Sequence, residues 1–288
     1  MNDIARVGVI GCGLMGSGIA EVCARAGLEV IVREVDDVAA EAGRGRMAAS
    51  LARAVKAGKL SGLERDAALE LVTVTTELSD MADRDLVIEA ATENPEVKAA
   101  LFADLDRTVK RPDAILATNT SAIPIVQVAS ATTRPGQVIG LHFFNPAPVQ
   151  KLVEVIPSVL TGPDTAGRAR GFVTETLGKT AISAPDRSGF VVNALLVPYL
   201  LSAIRMLEAG QATAEDIDTG MMLGCAHPMG PLRLSDLIGL DTLRSIADSM
   251  HEEFKEPSCA APPLLRRMTA AGMLGRKSGR GFYDYEER

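Results

Sequence analysis

The chain has 288 residues, with 30 Lys plus Arg against 37 Asp plus Glu and a formal net charge of −7. It is long enough for two domains and has no basic face to draw in a nucleic-acid backbone. Hydrophobic residues make up 47% and charged residues 23%, a globular composition that excludes a disordered or fibrous chain.

At the start, Met1-Asn2-Asp3-Ile4 carries an acid and runs directly into an apolar strand pattern, which leaves no room for a signal peptide. The cysteines Cys12, Cys23, Cys225 and Cys259 form no C-x-x-C pair and no zinc-ligand spacing, so a reducing compartment and a site without metal are expected. The longest apolar stretch, residues 190–204, is interrupted by Asn193, Pro198 and Ser202 and falls short of the roughly 20 residues a membrane span needs. A cytoplasmic protein with no membrane partner follows.

Short β-branched runs at 7–10, 30–32, 72–74, 86–88, 115–117, 138–141, 152–156 and 180–183 alternate with helical segments. That alternation predicts an α/β fold with a largely parallel sheet. The segment 36–71, rich in Ala, Arg and Leu at helical spacing, is too long for a simple connection and reads as a helical hairpin inserted in the sheet. After residue 186 the strand signal ends. The remaining chain reads as helices punctuated at Gly210, at His227-Pro228-Met229-Gly230-Pro231 and at Pro262-Pro263. Two domains are predicted, 1–186 and 187–288, the second smaller and all-α. Its helix at 191–206 is more apolar than a bundle of about 100 residues requires, and packing against another subunit would explain it.

Directly after the first run comes Gly11-Cys12-Gly13-Leu14-Met15-Gly16, followed by a helical stretch. Strand, G-x-G-x-x-G turn and helix together form the dinucleotide fingerprint of a Rossmann-like, doubly wound sheet. The first two glycines let the backbone turn and approach a pyrophosphate, the third lets helix and strand pack closely, and the helix N-terminus faces the phosphates. Glu34, 23 residues after Gly11, stands where an acid accepts hydrogen bonds from the adenosine ribose, which favours NAD over NADP. Arg33 beside it suits a 2′-phosphate, so NADP stays open, as does a reading of Glu34 as a solvated strand end.

Three histidines are candidates for a base near neutral pH. His251 sits beside Glu252 and Glu253 in an amphipathic helix and reads as a surface residue; His227 precedes a proline in a turn and reads as structural. His142 closes a strand in Gly140-Leu141-His142-Phe143-Phe144-Asn145-Pro146, at the end of the sheet where such folds bind ligands. Twelve residues later Glu154 interrupts Leu152-Val153-Glu154-Val155-Ile156, where a carboxylate needs a partner. On these residues alone, a catalytic pair and a buried structural pair both stand.

Taken together, the glycine loop, Val87-Ile88-Glu89-Ala90, Thr118-Asn119-Thr120-Ser121, residues 140–146 and 152–156, Gly189-Phe190-Val191-Val192-Asn193, the His227 turn and the closing Gly279-Arg280-Gly281-Phe282-Tyr283 span essentially the whole chain. The sequence resembles the short-chain L-3-hydroxyacyl-CoA dehydrogenases, of the bacterial 3-hydroxybutyryl-CoA dehydrogenase type. The resemblance implies NAD-linked, reversible oxidation of a short-chain L-3-hydroxyacyl-CoA and a homodimer formed through the helical domain. It implies His142 as base, Glu154 as its orienting carboxylate, and Ser121 and Asn193 as the polar groups that meet the reacting oxygen or acyl group. For the cofactor it implies Gly11, Gly13, Leu14, Met15, Gly16, Glu34, Glu93, Lys98, Asn145 and Lys277. For coenzyme A it implies Ser50 and Ser121, with Lys56 or Lys59 on the phosphates. Composition alone reads Lys98 and Lys277 as solvated lysines, and Ser121 equally as a helix cap for the segment from Ile123. Ala122, Gln150 and Ala194 depart from the family pattern, the last two at the acyl pocket. Two alternatives remain at this stage: a gulonate-type hydroxy-acid dehydrogenase, which would lack the coenzyme A contacts, and a dinucleotide-binding sensor without turnover.

Overall fold

A computed structural model of the chain describes residues 4–285. Residues 1–3, on which the reading of the N-terminus leans, lie outside the described residues. The chain divides into two compact units, Met1–Asp186 and Arg187–Arg288.

The first unit holds strands β1 (Arg6–Ile10), β2 (Glu29–Arg33), β3 (Val72–Thr75), β4 (Leu86–Glu89), β5 (Ile115–Thr118), β6 (Val138–Phe143), β7 (Leu152–Ile156) and β8 (Thr180–Ser183). Its helices are α1 (Leu14–Arg25), α2 (Asp37–Lys56), α3 (Gly62–Glu70), α4 (Pro95–Thr108), α5 (Ile125–Ala129) and α6 (Pro163–Gly171). The strands form one eight-stranded sheet in the order β3-β2-β1-β4-β5-β6-β7-β8. Neighbours are parallel except β6 and β7. Strands covered on both faces need continuous apolar runs, and β4, β5 and β6 are buried along their whole length.

The predicted insertion is α2 and α3. Asp36 caps α2 by accepting from Ala39 N, and Ser61 and Glu64 form a reciprocal capping box on α3. Asp106 fastens the far end of α4. Its carboxylate accepts from Thr133 N and Oγ1 and from Arg134 Nε at 2.6–2.8 Å, while Arg134 Nη2 donates to the closing carbonyls of Asp106 and Val109. Burial raises the Asp106 carboxyl, but these donors outweigh it and hold the group below the usual carboxylate range.

The second unit is helical: α7 (Val192–Glu208), α8 (Ala214–Gly224), α9 (Pro231–Ile238), α10 (Leu240–Phe254) and α11 (Pro263–Ala270). Leu200, Leu201, Ile204, Leu240, Leu243 and Leu265 lie at the centre of its apolar core. Two buried carboxylates knit it together. Asp218 accepts from Leu232 N and Arg233 N at the start of α9 and from Tyr283 Oη. Asp236 accepts from Phe282 N, Tyr283 N and Tyr285 Oη, fixing the closing Gly281-Phe282-Tyr283 segment. Among the described residues, no helix is long and apolar enough to cross a membrane.

Candidate active site

The antiparallel pairing of β6 and β7 places His142 directly opposite Glu154. Directly opposed residues project from the same face with their Cβ atoms about 5 Å apart, so the side chains meet: His142 Nδ1 lies 2.7 Å from Glu154 Oε2. Both are buried, at 4% and 0% exposure. A carboxylate only accepts, so Nδ1 carries the proton and Nε2 presents its lone pair. The edge of Phe144 packs against the imidazole, with ring centroids 4.6 Å apart.

Ser121 completes the line. β5 runs beside β6 in parallel, with Thr118 opposite Gly140, so the chain three residues past Thr118 arrives next to His142. Ser121 Oγ stands 3.0 Å from His142 Nε2 and donates to the lone pair there. The helix-cap reading of Ser121 is corrected: Thr120 Oγ1 accepts from Ile123 N, and Asp186 accepts from Ile125 N and Val126 N at the start of α5. Neither role was read from the sequence. Asn119 Oδ1 accepts from Phe143 N, tying the same turn to the end of β6.

Glu93, from the loop between β4 and α4, accepts from Ser121 N at 2.8 Å and from Thr120 Oγ1 at 2.7 Å. Lys98 does not match the solvated lysine that composition suggests. It is 1% exposed and ion-paired with buried Glu89, with Thr118 Oγ1 3.2 Å away. It thereby neutralises and holds Glu89 at the end of β4, which also accepts from Ala91 N.

The glycine loop suits a dinucleotide. Gly11 has φ +90, and a side chain there would meet the Ala91 Cα at 2.8 Å; one on Gly16 would meet the Gly11 carbonyl at 1.8 Å. Around Gly13 nothing lies within 4 Å of where a Cβ would be, and the first turn of α1 has no side-chain cap. Open backbone next to uncapped N–H groups is what a pyrophosphate requires. Glu34 is more than a solvated strand end: its carboxylate accepts from Cys12 N and Val35 N. Arg46 of α2 donates through Nε and Nη2 to the Cys12 carbonyl at 3.1 and 2.7 Å. The hairpin thus clamps the loop. Burial, with Glu34 adding to it, pushes the Cys12 thiol up to about 11, so it stays protonated and chemically quiet. Arg33 Nε donates to the Thr76 carbonyl.

Residues 6–187 match the family model of the 3-hydroxyacyl-CoA dehydrogenase NAD binding domain, and residues 189–285 match that of the C-terminal domain of the same enzymes. The chain belongs to the 3-hydroxyacyl-CoA dehydrogenase family. A 3-hydroxybutyryl-CoA dehydrogenase of Mycobacterium tuberculosis is 61% identical over 286 residues, covering 99% of this chain and 100% of that protein. A probable 3-hydroxybutyryl-CoA dehydrogenase of Bacillus subtilis is 45% identical and covers 99% of each chain. The crystal structure of an (S)-3-hydroxybutyryl-CoA dehydrogenase from Ralstonia eutropha superposes with a TM-score of 0.92 at 42% identity, covering 99% of this chain and 100% of that one.

For a 3-hydroxyacyl-CoA dehydrogenase, the placement of the expected coenzyme A residues is instructive. Ser50 lies in a cleft of about 170 Å³ with Arg46 and Arg53 of the same helix, Ser17 of α1, and Asn145 and Pro146. Neither Lys56 nor Lys59 is among the residues lining that cleft; both are exposed. The reason is helical phase. Arg46 and Arg53 are four residues before and three after Ser50 and share its face, whereas Lys56 is turned away. Asn145, expected at the cofactor, lines this cleft too.

In the second unit, Asn193 is buried in the first turn of α7. Lys277 donates to Asp241 Oδ2 at 2.6 Å, so it is ion-paired and not simply solvated. His227 Nδ1 lies 3.1 Å from Tyr199 Oη, and His251 Nδ1 lies 3.1 Å from the Glu256 carbonyl, consistent with structural roles for both.

Proposed function

We propose that the line Ser121, His142, Glu154 is the catalytic centre of an NAD-dependent 3-hydroxybutyryl-CoA dehydrogenase, which interconverts L-3-hydroxyacyl-CoA and 3-ketoacyl-CoA. The observation that carries this reading is the cross-strand pair, which fixes one tautomer of His142 and points Nε2 toward a serine hydroxyl. In oxidation, His142 Nε2 accepts the proton of the substrate hydroxyl. Glu154 stabilises the imidazolium so formed and keeps the ring from turning. Ser121 and Asn193 hold the reacting oxygen and the acyl group, so proton and hydride leave along one geometry. NAD, when bound, supplies the hydride acceptor; Gly11, Gly13, Leu14, Met15 and Gly16 would hold its pyrophosphate, Glu34 its ribose, and Glu93, Lys98, Asn145 and Lys277 complete its contacts, Lys98 through Glu89.

Ser50 and Ser121 bind the coenzyme A arm, with Lys56 or Lys59 on its phosphates, and Arg46 and Arg53, on the Ser50 face of α2, add cationic groups beside it. A panel of 3-ketoacyl-CoA thioesters of increasing length, each with NADH and with NADPH, tests the reading by loss of nicotinamide absorbance. Fastest turnover with the four-carbon thioester and NADH supports it; turnover of free 3-keto acids with none of the thioesters would overturn it.

We place the enzyme in the cytoplasm, as a homodimer formed by the helical unit. Leu195 of α7 and Leu223 of α8 are 75% and 81% exposed, and a two-fold partner would cover such a surface. Light scattering of the wild type is expected to return twice the chain mass, and Leu223→Glu to shift it toward the monomer. A wild-type monomer at micromolar concentration contradicts the assembly.

A further inference from the structure

We propose that Glu93 is a positioning residue for the reaction: its carboxylate sets the place of Ser121, and through it the hydroxyl that faces His142. This rests on the reading of Ser121 as the group that meets the reacting oxygen, and it goes beyond the cofactor contact that family resemblance gives to Glu93. The geometry is bidentate. One oxygen accepts from Ser121 N at 2.8 Å and the other from Thr120 Oγ1 at 2.7 Å, across 28 and 27 residues of sequence. Charge-assisted bonds of this length are the stronger kind. They act on the backbone of the residue whose Oγ lies 3.0 Å from His142 Nε2.

The segment that carries Glu93 is itself anchored at both ends. On one side Glu89, buried at the end of β4, accepts from Ala91 N at 2.8 Å and is held by Lys98 and Thr118. On the other side Asn94 caps α4, accepting from Val97 N, with Pro95 in the first helical turn. A carboxylate on so short a tether between two fixed points is pre-organised. The Ser121 turn borrows that rigidity: Thr120 Oγ1 both donates to Glu93 and accepts from Ile123 N. Misplacing a substrate-positioning group by about 1 Å costs on the order of 100-fold in rate, so loosening this clamp is expected to be read in kcat.

The test uses the purified enzyme and the variants Glu93→Ala, Glu93→Gln, Ser121→Ala and the Glu93→Ala/Ser121→Ala double. The readouts are kcat, KM for both substrates, and the NADH dissociation constant from fluorescence. Glu93→Ala is expected to lower kcat, measured at saturating cofactor, by about 10- to 100-fold, over and above the rise in the NADH constant that loss of its cofactor contact brings. Glu93→Gln is expected to recover most of the loss, because its amide keeps an acceptor for Ser121 N–H and a donor for the Thr120 hydroxyl. The double variant is expected to be no slower than Ser121→Ala, since two residues acting through one contact are not additive. The proposal is overturned if Glu93→Ala keeps kcat within about twofold, if its loss lies wholly in NADH affinity, or if the two substitutions multiply. Wild-type kcat in Ser121→Ala is a separate failure, which removes the role of Ser121 and the proposal with it.

Discussion

Replacing Glu154 by Gln removes one charge from a buried pair and keeps the shape of the side chain. In the wild type the carboxylate faces His142 at 2.7 Å, with exposures of 0% and 4%, so neither water nor salt screens the interaction. Proton acceptance by His142 creates a cation about 4 Å from the centre of the carboxylate charge. At an effective dielectric constant near 20 that attraction is about 4 kcal/mol. The amide oxygen of Gln still accepts from Nδ1, which returns about 1 kcal/mol. The remaining difference of roughly 3 kcal/mol, at about 1.4 kcal/mol per decade, is a loss of about 100-fold in turnover. The assay is steady-state oxidation of 3-hydroxybutyryl-CoA by NAD, with NADH affinity and thermal unfolding measured on the same protein. The expected pattern is a fall in kcat with NADH binding within about twofold of wild type. A folded Glu154→Gln enzyme with kcat within about threefold of wild type would refute the assignment of the pair to the chemistry.

Glu34→Ala is expected to shift preference from NADH toward NADPH and, because Glu34 also accepts from Cys12 N, to weaken both cofactors; the ratio of kcat/KM for the two checks it, and an unchanged ratio counts against the ribose role. Asp106→Ala is expected to cost roughly 2 kcal/mol in urea unfolding at neutral pH, by leaving the Thr133 N–H and Arg134 Nε without their acceptor while Arg134 keeps its backbone carbonyls. Since the folded Asp106 carboxyl titrates below its unfolded value, its contribution is complete above the unfolded pKa of about 4 and is lost as pH falls through the folded one. The deficit of the variant should therefore shrink in acid, and a deficit constant through that range contradicts the ion pair.

How far the sequence reaches can be argued residue by residue. The eight strands were legible because each is a β-branched run with turn residues at its ends, and the α2–α3 hairpin because its apolar positions keep helical period between cap residues. His142 and Glu154 were legible as a costly pair of polar residues in apolar strands. Their register was not, because only the antiparallel turn of β7 onto β6 makes a separation of 12 residues into direct opposition. Lys98 looked like a surface lysine because its partner Glu89 sits on a neighbouring strand end, a contact with no local signature. The same holds for Glu93, whose partners lie 27 and 28 residues away. Arg46 and Arg53 were within reach: counting three and four residues from Ser50 places them on its face of α2.

The most direct test of the account is the rate of 3-hydroxybutyryl-CoA oxidation by NAD in wild-type enzyme and in His142→Ala, with NADH affinity measured in both. The account predicts rapid turnover by the wild type, a loss of at least about 100-fold in the variant, and closely similar NADH binding. Turnover by His142→Ala within a few-fold of wild type would contradict it and place the base elsewhere.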